Sequence, residues 1–219
     1  AVAAALSLVV TLSLLTIRQI GVWKNSIVFW SYVIEKEGDQ VPVAYASRGS
    51  ALFQAGQFER AITDHTKAIA LKPDYPDYYN NRGVVYRQTG QALQAMEDFE
   101  KAIAVDPRFS DSYVNRGMLY KDRGQIDQAY EDFTTAIAMH TERDVAYYYR
   151  GLILQEKGEI GPAIEDFSVA LALNPYSAHA YNNRGLLLAE TGRLAQALSD
   201  LDAAVRIDPS GVEPLNNRA

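Results

Sequence analysis

Five glycines, Gly49, Gly83, Gly117, Gly151 and Gly185, recur every thirty-four residues. A fixed period of that length restricts the fold more than any composition does, because it implies one supersecondary unit copied in tandem. Ala61, Ala95, Ala129, Ala163 and Ala197 keep the same beat, as do Ala68, Ala102, Ala136, Ala170 and Ala204, and Tyr45, Tyr79, Tyr113, Tyr147 and Tyr181. Pro73, Pro107, Pro175 and Pro209 form a further series in which Thr141 is the exception. Inside a period the apolar spacing is helical: Tyr79, Gly83 and Tyr86, a break at Thr89 and Gly90, then Ala95, Phe99, Ala102 and Ile103 until Asp106 and Pro107. Each period therefore predicts two antiparallel helices. Gly83 and Ala95 let their backbones approach, and Phe99 and Tyr86 fill the space beside them. One such hairpin cannot bury its apolar face alone, so neighbours must stack.

This period, with its order of Tyr, Gly, Tyr or Leu, Ala, Phe, Ala and Pro, resembles the tetratricopeptide repeat over residues 42–211, five full units. The resemblance implies an all-α fold, a right-handed superhelix (α-solenoid) of five helix-turn-helix repeats preceded by a hydrophobic N-terminal helix. The domain plan is an apolar helix over 1–21, an amphipathic capping half-repeat over 22–41, five repeats over 42–211, and the start of a sixth over 212–219. His65, where an aromatic or Leu is usual, and Thr141 depart from the pattern.

An Arg precedes each period glycine. Folding a hairpin about its turn glycine, Gly90 in the second unit, brings Arg82 opposite Asp98, since each lies eight residues away. The same spacing relates Arg48 to Asp64, Arg116 to Asp132, Arg150 to Asp166 and Arg184 to Asp200. An Arg-carboxylate clasp across every hairpin is expected, with a structural role. Arg218 continues the series without a partner helix and is a candidate intersubunit contact.

In the family the first helices line a concave groove. By that resemblance its surface here includes Asp77, Asn80, Asn81, Arg87, Asp111, Asn115, Lys121, Tyr148, Tyr149, His179, Asn182 and Asn183. Asparagine amides donate and accept at once, which suits an extended peptide backbone. Asn81, Asn115 and Asn183 look like the asparagine ladder of the O-linked N-acetylglucosamine transferase repeats, although bridging between neighbouring helices is an equal reading. The basic pair that would clamp a terminal carboxylate is absent, Asp77 and Asp111 standing at one of its positions. Tyr148 and Tyr149 read either as an aromatic anchor or as self-packing.

Residues 1–17 carry no charge and the first appears at Arg18. The run approaches the ~20 residues a bilayer span needs, and a span continuing upstream of Ala1 is expected, although an apolar helix buried in an assembly has the same signature. Residues 22–37 read as an amphipathic helix capped by Asn25 or Ser26, with Ile27, Trp30, Val33 and Ile34 on its apolar face. The order of span, Trp23 to Ser26, then repeats is similar to the C-terminal end of membrane glycosyltransferase-like proteins, whose repeat tail is extracytoplasmic. A net charge of -6 argues against nucleic acid, and the absence of cysteine removes thiolate metal sites and cysteine nucleophiles. His65, His140 and His179 share no short metal-binding spacing, and no phosphate loop or catalytic constellation is present.

The expected function is thus a non-enzymatic, membrane-associated scaffold with no cofactor or metal. It would hold a protein or peptide in the groove and meet the membrane through residues 1–20, as the recruitment tail of a larger protein. The alternatives are a subunit that self-associates head to tail into a homo-oligomer or filament, and a fragment of a glycosyltransferase whose catalytic part is upstream.

Overall fold

The computed structural model describes residues 25–139 and 143–210, which form two compact units dividing between Asp106 and Pro107. The fold is all-helical as expected, with eleven α-helices and no strand among the described residues. The first unit holds α1 (Ser26–Glu37), α2 (Pro42–Gln54), α3 (Phe58–Leu71), α4 (Pro76–Gln88) and α5 (Ala92–Val105). The second holds α6 (Ser110–Asp122), α7 (Ile126–Met139), α8 (Asp144–Glu156), α9 (Ile160–Leu173), α10 (Ala178–Glu190) and α11 (Leu194–Ile207).

Each hairpin turns in the same way. After α4, Gly90 adopts φ +76° and donates to the Arg87 carbonyl, while Gln91 reaches back to the Tyr86 carbonyl at 2.8 Å. This pair of hydrogen bonds satisfies carbonyls that the helix end would leave open, and the left-handed residue inside it favours glycine. The second helix then runs back so closely that a Cβ on Gly83 would lie 2.6 Å from the Phe99 ring. Phe99, Phe133 and Phe167 are fully buried against Gly83, Gly117 and Gly151, a burial that contributes roughly 2–3 kcal/mol each.

No hairpin completes its core by itself. In the first unit Leu52 and Ala61 of one hairpin join Val85 of the next, with Ile27 of α1 against them. In the second, Val114, Ala129 and Phe133 join Ala146 and Ile153, and Leu154 and Phe167 join Leu187 and Ala197. Helix α1 packs on α2 and starts at Asn25, whose side chain accepts from the Ile27 and Val28 amides, so Asn25 rather than Ser26 is the cap.

The membrane-associated, extracytoplasmic placement is corrected. No helix among the described residues is long and apolar enough to cross a membrane. The longest have fourteen residues, about 21 Å at 1.5 Å per residue, against a hydrocarbon core of about 30 Å. The apolar helix expected over 1–21 lies outside the described residues, as do Trp23, His140, Thr141 and Arg218.

Candidate functional site

Two faces of the hairpins carry polar chemistry. Between the paired helices, each Arg before a period glycine meets the Asp sixteen residues on. Arg48 Nε and Nη2 donate to Asp64 at 2.7 and 2.8 Å, and Arg82 to Asp98 at 2.8 and 2.7 Å. Arg116 with Asp132, Arg150 with Asp166 and Arg184 with Asp200 repeat the geometry at 2.7–2.8 Å. The aspartates are buried, and their hydrogen bonds raise Arg48, Arg82 and Arg150 above the ordinary guanidinium value. Tyr45, Tyr113, Tyr147 and Tyr181 place their rings 5.5–5.8 Å from the guanidinium of their own repeat, within cation–π range.

A third donor extends the clasp to the preceding hairpin. Arg82 Nη1 donates to Thr66 Oγ1 at 2.9 Å, Arg184 Nη1 to Ser168 Oγ at 3.0 Å, and Arg150 Nη1 to Thr134 Oγ1 at 3.5 Å. Arg48 Nη1 reaches Ser31 of α1 at 3.2 Å. Thr66, Thr134 and Ser168 share one phase, sixteen residues before an Arg, and that phase was the sequence signal for them. A cavity of ≈ 330 Å³ is lined by the Arg184–Asp200 pair and by Arg193, whose Nε donates to the neutral Thr191 hydroxyl at 3.2 Å.

The other face belongs to the first helices. In the first unit Asp77, Asn81 and Arg87 of α4 are partly exposed, whereas Asn80 is buried at 6%. In the second unit Asp111, Asn115 and Lys121 of α6 are partly exposed, His179 at the start of α10 is exposed, and Asn182 is buried at 4%. Tyr149 stacks on Phe133 at 5.5 Å and 10°, and Tyr148 lies 5.9 Å from Phe167. Asn183 Nδ2 donates to the Tyr148 hydroxyl at 3.3 Å, tying α10 to α8. Of the residues placed on the groove from sequence, the two tyrosines, Asn80 and Asn182 thus contribute mainly inward.

Between α6 and α8 a pocket of ≈ 250 Å³ opens, lined by Asp111, Val114, Asn115, Met118, Arg143, Asp144 and Val145. Arg143 and Asp111, both in the lining, are paired with each other. Asp144 accepts from Asn174 Nδ2 at 2.9 Å, and Lys121 lies 3.9 Å from Glu156. Among the described residues no cluster of His, Asp and Glu is arranged to hold a metal.

Family models described as tetratricopeptide repeat match residues 76–109, 99–131 and 151–212, and one described as TPR repeat matches 49–90. The chain belongs to the tetratricopeptide-repeat family. Solved tetratricopeptide-repeat structures share the architecture. One is YrrB, described as a TPR protein with an unusual peptide-binding site: it is 24% identical, the match covers 85% of this chain and 96% of that one, and the TM-score is 0.61. MamA is 24% identical over 74% of this chain and 94% of its own, with a TM-score of 0.62. PilF of Pseudomonas aeruginosa is 22% identical over 80% of each chain, with a TM-score of 0.75. These likenesses establish the fold. No curated protein sequence matches the chain, and the resemblance to a glycosyltransferase tail finds no support in the matched families.

Proposed function

We propose that the tetratricopeptide repeats form a protein-recruiting scaffold that holds an extended peptide segment of a partner against the first helices. The observation that carries this reading is the division of labour between the two faces. The carboxylates within the hairpins are spent on Arg clasps, whereas the α6–α8 face keeps an open pocket beside the Asn115 amide. An amide that both donates and accepts holds a peptide backbone whatever its side chains. The peptide-binding site ascribed to YrrB, which shares the fold, supports the same assignment. No reaction is assigned to the chain, and its contribution to a larger system is recruitment.

The test is a selection of random peptides on the full chain, followed by fluorescence anisotropy with the best binder. Asn115→Ala should weaken binding about fivefold, the loss of roughly 1 kcal/mol of hydrogen bonding, with unchanged circular dichroism. Equal affinity for the folded variant, or no peptide binder at all, would overturn the reading.

A further inference from the structure

Building on that reading, we propose that the pocket between α6 and α8 selects a lysine or arginine side chain of the bound peptide. Its apolar and its charged lining residues ask for different chemistry. Val114, Met118 and Val145 give an apolar channel, while Asp111, Arg143 and Asp144 stand together with one net negative charge. Arg143 is committed to Asp111. The Asp144 carboxylate, in the first turn of α8, receives a hydrogen bond from the neutral amide of Asn174 at 2.9 Å, and no cationic side chain pairs with it among the described residues.

An aliphatic side chain would satisfy the walls but would desolvate that carboxylate without pairing it. An acidic side chain would be repelled. A lysine or arginine lays its methylene stem along the apolar walls and brings its charged head to Asp144. The net charge of -6 on the chain favours its encounter with a cationic segment. Asn115, which also lines the pocket, holds the backbone of the residue that inserts.

The experiment takes the selected peptide and replaces each Lys or Arg in turn with norleucine, which keeps the stem and removes the charge. Anisotropy is read at low and high salt. One position should lose about tenfold in affinity at low salt and less at high salt. Asp144→Asn should abolish that preference while leaving the norleucine peptide bound as before, and Val145→Arg, at a residue 41% exposed, should repel the cationic peptide alone. Should norleucine be tolerated everywhere, or should the preference survive both substitutions, this assignment fails while the scaffold reading stands. A chain that binds no peptide removes both.

Discussion

Arg116 grips Asp132 through two parallel bonds, Nε to Oδ2 and Nη2 to Oδ1, both at 2.8 Å. Bidentate pairs of this kind fix geometry as well as charge. The Asp132 side chain is 7% exposed, so removing Arg116 strands a carboxylate in a poorly hydrated place. Arg116→Ala and Asp132→Ala should each cost about 2–3 kcal/mol in urea denaturation, and the double variant less than the sum. Strict additivity in that cycle would show that the pair carries no coupling.

The third guanidinium donor predicts coupling along the stack. Thr66→Val removes the acceptor of Arg82 Nη1 with little change of shape, and Ser168→Ala does so for Arg184. Each should lower stability by about 1 kcal/mol. The loss should appear in amide exchange of both hairpins that the bond joins. A change confined to the substituted hairpin would contradict the link.

The close approach at Gly83 predicts a steric cost. An added Cβ meets the Phe99 ring at 2.6 Å, so Gly83→Ala should destabilise by about 1–3 kcal/mol. Combining it with Phe99→Leu should recover part of the loss, as Leu201 packs against Gly185 in the fifth repeat. Thermal melts of the two variants decide it, and a neutral Gly83→Ala would show that the helices separate freely.

His65 makes the first repeat acid-sensitive. It stands in the phase of Phe99, 1% exposed, with Nδ1 unpartnered. Burial pushes its imidazole from 6.5 down to about 4, a little further under Arg82, with Asp64 opposing. The fold thus favours the neutral ring. Stability is complete above pH 6.5 and declines as pH falls toward 4, by about 2 kcal/mol between pH 7.5 and 5. His65→Phe should flatten that dependence in urea midpoints; an unchanged slope would place the effect elsewhere.

The hairpins, their turn glycines and the family were legible because the thirty-four-residue phase reports contacts inside one copy of the unit. Folding about Gly124 puts Arg116 and Asp132 face to face without knowledge of any neighbour. Contacts between copies were harder to read. Ser31, Thr66, Thr134 and Ser168 receive the third Arg donor only because of how one hairpin is offset from the next. That offset also brings Tyr149 of α8 onto Phe133 of α7. The acidic pocket at Val114 and Met118 arises from it too, joining residues some thirty positions apart. Membrane placement rested on an apolar run outside the described residues, and no described helix supports it.

The most direct measurement of the scaffold reading is backbone amide exchange of the full chain with and without a saturating selected peptide. The account predicts added protection along α6, α8 and α10 with little change in α7, α9 and α11. Protection centred on the second helices of the hairpins, or none at saturation, would contradict it.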